Sequence, residues 1–120
     1  MARVLGIGGV FVKSRDPDAL RAWYRDVLGF ELQPWGGAEL ESTGKSSSVW
    51  TPFKETTEYF LPSDKAFMIN FRVDDLDGML ARAREHGANV LDRREDADYG
   101  KFGYVLDPEG TLLELYQPMA

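Results

Sequence analysis

A chain of 120 residues that is 43% hydrophobic has room for one ordinary domain with a real core, which excludes both a disordered segment and a pair of independent domains. Its formal charge of −6 makes nucleic acid or an anionic membrane a poor general partner, and no stretch approaches the ~18 apolar residues of a membrane span. With no cysteine there are no disulfides, thiol nucleophiles or zinc–thiolate sites, and with no apolar leader after Met1 the expected location is cytoplasmic.

Val4 to Lys13 reads as a strand, with Gly9, Phe11 and Lys13 on one face and Val10 and Val12 on the other. Asp16-Pro17-Asp18 then starts a helix: Asp16 is the expected N-cap, Pro17 fits the first helical position, and Asp18 suits the positive end of the helix dipole. Leu20, Trp23, Tyr24, Val27 and Leu28 form a single apolar stripe, and Gly29 stops the helix. Three strands are expected next, over Phe30–Trp35, Ala38–Ser42 and Ser46–Phe53, separated by turns at Gly36-Gly37 and Thr43-Gly44-Lys45. Lys54 to Lys65 reads as a connection, but Tyr59-Phe60-Leu61 is too apolar for a plain linker. It is expected either to pack back on the body or to act as a lid.

The pattern then begins again. Phe67 to Val73 is a strand with Met68, Asn70 and Arg72 on one face. Asp74-Asp75 caps a helix whose stripe is Leu76, Met79, Leu80 and Ala83, and Gly87 ends it. Asn89–Asp92 is a short strand and Arg94–Gly100 a connection. Lys101–Leu106 and Thr111–Gln117 make a hairpin around Asp107-Pro108-Glu109-Gly110. The order is β-α-β-β-β twice. Setting Gly9 on Met68 places Phe11 on Asn70 and Asp16 on Asp75, so an internal duplication is expected, with one module over about 1–60 and the other over about 66–120.

Two stretches carry a family likeness: Asp16…Leu20…Trp23-Tyr24-Arg25-Asp26-Val27-Leu28-Gly29-Phe30 in the first half, and Phe71-Arg72-Val73-Asp74-Asp75-Leu76-Asp77 with Asp107-Pro108-Glu109-Gly110-Thr111-Leu112-Leu113-Glu114-Leu115 in the second. On these residues the chain resembles the vicinal oxygen chelate superfamily, which contains glyoxalase I, bleomycin-resistance proteins and extradiol dioxygenases. The resemblance implies an α+β fold of paired βαβββ modules curled around a cleft, assembled as a homodimer. It also implies metal-ligand positions on the first and last strand of each module. Here those positions hold Gly9, Met68, Ser48 or Trp50, and Glu114. Glycine has no ligand atom and a methionine thioether suits the relevant divalent ions poorly, so no metal and no cofactor is expected. The sole histidine, His86, falls in the last turn of the second helix and does not complete a site.

Strand alternation gives the expected cleft residues: Phe11, Lys13, Trp50, Met68, Asn70, Arg72, Phe102, Tyr104, Leu112 and Glu114. Glu114, between Leu113 and Leu115, is a carboxylate where a buried strand should be apolar. Arg72 is the first partner expected for it, with Lys13 as the other cation on that face. The expected function is small-molecule binding in a metal-free aromatic cleft. The alternative is a lyase, isomerase or dioxygenase-like enzyme that uses Glu114 as acid, base or residual metal ligand.

Overall fold

The computed structural model describes residues 1–28, 30–41, 47–107 and 109–119. The elements in chain order are β1 (Val4–Ser14), α1 (Pro17–Leu28), β2 (Ala38–Glu41), β3 (Ser47–Lys54), β4 (Phe67–Val73), α2 (Leu76–Glu85), β5 (Asn89–Ala97), β6 (Gly100–Leu106) and β7 (Leu112–Pro118). The seven strands form one mixed sheet in the order β2-β3-β1-β4-β7-β6-β5, giving an α+β fold.

Both helices start where the sequence places them. The Ala19 N–H donates to Asp16 Oδ1 at 3.1 Å, and the Gly78 N–H donates to Asp75 Oδ1 at 3.1 Å. Each aspartate satisfies an amide that the first helical turn leaves without a partner. The second helix ends as expected at Gly87, where φ is +74°. The Gly29 stop and the Thr43-Gly44-Lys45 turn lie outside the described residues.

The two halves meet at the centre of the sheet, where β1 and β4 run antiparallel. Phe11 faces Met68 and Gly9 faces Asn70, the reciprocal pairing that a two-fold relation between residues 59 apart requires. On either side, β3 runs parallel to β1 and β7 runs parallel to β4.

Two stretches differ from expectation. Phe30–Trp35 is not a strand. The Gly36 N–H donates to the Gln33 carbonyl and the Gln33 N–H to the Gly37 carbonyl, closing a turn around Pro34, which has no N–H for a ladder. The described first half therefore adds three strands to the sheet. Conversely, β5 continues through Arg94–Ala97, which pairs with β6 as Arg94↔Gly103, Glu95↔Phe102 and Asp96↔Lys101. Its charges signal a connection, but β5 is an edge strand, where charged side chains reach water and discourage further pairing. The third strand is described only to Glu41, so Ser42 is untested.

Side chains pack on both faces of the sheet. On one, α2 buries Leu76 and Leu80 against Val73, Val105 and Leu115. On the other, Phe11, Phe60, Met68, Tyr104 and Leu112 form a second cluster joined by Val49, Phe53, Tyr59 and Phe102. This second, largely aromatic face holds Glu114.

Candidate functional site

Glu114 is 2% exposed, at the centre of β7. Its neighbours across the ladders are Asn70 on β4 and Tyr104 on β6. Sheet register therefore delivers two of its partners directly. Asn70 Nδ2 donates to Oε1 at 2.7 Å, and the Tyr104 hydroxyl donates to Oε2 at 2.7 Å. The third partner comes from outside the sheet: the Tyr59 hydroxyl, in the connection after β3, donates to Oε2 at 2.5 Å. Hydrogen bonds to a charged acceptor contribute about 1.5–3 kcal/mol each, which is how a carboxylate is tolerated at this depth.

The hydrogen inventory of the cluster is short. Tyr59 and Tyr104 oxygens also lie 2.9 Å apart, so with Glu114 Oε2 they form a triangle of three close oxygens. Two phenols bring two hydrogens to its three edges. Beside the triangle, Asn70 Oδ1 is buried with no hydrogen-bond partner. It points over β1, where a Cβ on Gly8 would stand 1.9 Å from it. The opposite amide orientation would set Oδ1 against the Glu114 oxygen, so the bond to Glu114 fixes which atom is left without a donor.

Burial first, then the Glu114 charge, raises both phenols above their ordinary value near 10 and keeps them as hydrogen donors at neutral pH. Arg93 supplies the nearby cation. Its guanidinium lies 4.2 Å from the Tyr59 ring centroid and 4.0 Å from that of Tyr104, and Nη1 donates to the Tyr59 carbonyl at 2.8 Å. Around the rings, Phe53 sits 5.2 Å from Tyr59 and 5.1 Å from Phe60.

Most residues expected in the cleft share this face. Phe11, Met68, Tyr104 and Leu112 are buried in its apolar cluster, Phe102 packs against them, and Asn70 and Glu114 form the polar centre. Lys13 Nζ lies 5.8 Å from the Phe60 ring centroid. Arg72 lies along glycine-lined β1, with Nη2 3.0 Å from where a Gly6 Cβ would stand. The groups hydrogen-bonded to Glu114 are two phenols and an amide in place of the expected Arg72.

Trp50 is a correction. Val49 packs into the aromatic cluster, so strand alternation turns Trp50 to the other face, where its ring meets Phe30 edge-on at 5.3 Å. Thr51, the neighbour of Phe11, is the buried polar residue of β3 on the cleft face.

Sequence reasoning misses Tyr59, Phe60 and Arg93 as site residues. The apolar Tyr59-Phe60-Leu61 triplet is the available signal for the first two. Continuing β5 past Asp92 would place Arg93 on the same face as Leu91. Two surface depressions share Thr51, Phe53 and Lys13 with this face. One, of about 490 Å³, is lined by Arg21, Trp35, Thr51 and Phe53 among others; the second, of about 380 Å³, by Lys13, Arg15, Glu55, Asp64 and Ala66.

The residues present do not fit the metal that the fold family implies. Glu114 already accepts three protein donors, Gly9 has no side chain, Met68 is buried among apolar groups, and Val49 occupies the cleft face of β3. Among the described residues no three His, Cys, Asp or Glu side chains converge. No described helix is long and apolar enough to cross a membrane.

Comparison with known proteins completes the description. Residues 9–116 match the family model of the glyoxalase-like domain. Comparison with curated proteins finds no match. Among solved structures, a variant of Streptomyces coelicolor methylmalonyl-CoA epimerase in complex with 2-nitronate-propionyl-CoA is similar with a TM-score of 0.72 and 21% identity, over 98% of this chain and 100% of that one. The Mycobacterium tuberculosis methylmalonyl-CoA epimerase gives 0.66 and 23% over 98% and 90%. A glyoxalase/bleomycin resistance protein/dioxygenase superfamily member from Vibrio splendidus 12B01 gives 0.61 and 21% over 98% and 99%. With the family model spanning nearly the whole chain and the sheet matching these structures, the chain belongs to the glyoxalase-like domain family of the vicinal oxygen chelate superfamily.

Proposed function

We propose that this chain binds a small, partly aromatic molecule on the Glu114 face of its sheet, without a metal or cofactor, as a cytoplasmic homodimer of one domain built from two modules. The observation that carries this reading is the unpartnered, buried Asn70 Oδ1 beside a triangle of oxygens with two hydrogens for three edges. A buried acceptor without a donor costs about 1–3 kcal/mol. A ligand hydroxyl or N–H supplies what is missing, and the surrounding rings of Phe11, Phe53, Phe60 and Phe102 suit an apolar body. The bound molecule is thus a neutral or cationic hydrogen-bond donor.

A proton-transfer enzyme of the isomerase type is the second reading. The 2.7 Å contact between the Tyr104 hydroxyl and Glu114 Oε2 places an acid and a base side by side, and several structural neighbours are methylmalonyl-CoA epimerases. Burial and the Glu114 charge hold the Tyr104 phenol protonated.

Elemental analysis of protein purified from metal-replete medium tests the metal-free reading. Nickel, zinc, iron and manganese are expected well below stoichiometric amounts. Roughly one tightly held metal per chain would overturn it, because Glu114 would then have exchanged phenol donors for a cation.

A further inference from the structure

We propose that Tyr59 is an internal ligand: its phenol occupies the place over Glu114 that a phenolic small molecule takes when the segment carrying Tyr59 lifts away. This deepens, and rests on, the small-molecule reading above.

The segment is built to move as a unit. It leaves and rejoins the sheet at neighbouring points of β1: the Glu55 N–H donates to the Ser14 carbonyl at 2.7 Å, and the Lys13 N–H donates to the Ala66 carbonyl at 2.8 Å. Ends held this close, joined by a compact run packed on its own side chains, define an Ω-type loop. Between them no residue joins the sheet. Its backbone bonds are turn bonds, such as Leu61 N–H to the Glu58 carbonyl and Ser63 N–H to the Phe60 carbonyl, so they do not tie the segment to the sheet, and they loosen when its packing on the site is lost. Leu61, Pro62 and Asp64 face solvent, while Tyr59 and Phe60 point inward. What ties the loop to the site is the Tyr59 hydroxyl on Glu114, the two rings, and the Arg93 bond to the Tyr59 carbonyl.

The occupant describes the ligand. Around the Tyr59 phenol stand an acceptor at its oxygen (Glu114 Oε2), a guanidinium against its face (Arg93), a tilted ring (Phe53) and an edge-on ring (Tyr104). Those surroundings recognise a single aromatic ring bearing a hydroxyl, donated to a carboxylate, with the ring face toward a cation. 4-Methylphenol is that side chain without its backbone.

The test compares wild type with Tyr59→Ala by calorimetric titration with 4-methylphenol and with toluene. If Tyr59 competes for the site, the variant binds 4-methylphenol at least about tenfold more tightly than wild type. If the Glu114 contact selects the hydroxyl, toluene binds the variant at least about tenfold more weakly than 4-methylphenol does. Equal affinity in wild type and variant, or equal affinity for the two probes, overturns the inference. Hydrogen exchange on wild type decides the matter even if Tyr59→Ala does not fold. Saturating 4-methylphenol accelerates exchange at the Leu61 and Ser63 amides, and unchanged exchange with the probe bound overturns the inference. A different small molecule that binds through Glu114 while those amides stay protected would sink the internal-ligand role and leave the binding function standing.

Discussion

Two phenols and an amide hold the Glu114 carboxylate, and donors of this kind leave a pH signature. In the unfolded chain both phenols ionise near pH 10, and in the fold they hold their protons to higher pH. Over that interval the folded state binds more protons, so the phenols' contribution to stability is level below about pH 10 and falls above it, by up to about 1.4 kcal/mol per pH unit for each phenol. Urea midpoints followed from about pH 8 to about pH 11 show the fall, and Tyr59→Phe or Tyr104→Phe makes it shallower. A flat profile, with all tyrosines ionising near pH 10 by ultraviolet absorbance, contradicts the cluster. The carboxylate itself is legible in the sequence, because it interrupts an apolar strand, and it is 2% exposed in the fold. Its partners are only partly legible. Alternation along strands puts Asn70 and Tyr104 on its face, but alternation says nothing about a side chain that reaches in from a loop, so it cannot find Tyr59. The charge rule that nominates Arg72 assumes that a buried carboxylate needs a salt bridge, whereas neutral donors serve when there are enough of them.

At the scale of elements, the caps and the Gly87 stop read true because they depend on local chemistry: Asp16, Asp75 and Gly87 act where the sequence places them. Strand ends read less well. Phe30–Trp35 is apolar enough for a strand, yet Pro34 and a positive-φ Gly36 close it into a turn, and Arg94–Ala97 pairs despite its charges because it lies at an edge. The glycines of β1 read in the sequence only as part of a strand, and their purpose emerges from the neighbouring strand. Gly8 lies under the Asn70 amide and Gly9 beside the Phe11 ring, so β1 is bare where those side chains cross it. Gly8→Ala would place a methyl 1.9 Å from Asn70 Oδ1 and push the amide off Glu114. The expected cost is about 1–3 kcal/mol, read as a lower urea midpoint at unchanged slope. A variant as stable as wild type would show that the Asn70 amide is not held where described.

For the whole molecule, the repeat visible in the sequence appears in the sheet as reciprocal pairing across β1 and β4, with a parallel neighbour on each side. The halves differ in what they place on the cleft face. One brings Phe11 and Thr51, the other Asn70 and Glu114, so polar chemistry gathers on the second half while the first supplies apolar wall and the loop that covers it. That asymmetry underlies the proposed small-molecule site centred on Glu114. It is tested most directly by a thermal-shift screen of small aromatic alcohols and amines on wild type and Glu114→Gln. Glutamine preserves the shape of the side chain, and its amide can donate to phenols that turn to accept, so the variant remains folded. A ligand at ~100 times its dissociation constant adds about 2.7 kcal/mol to the stability of the protein that binds it. The account predicts compounds that raise the melting temperature of wild type and leave Glu114→Gln unmoved. Hits that shift both proteins equally would contradict it.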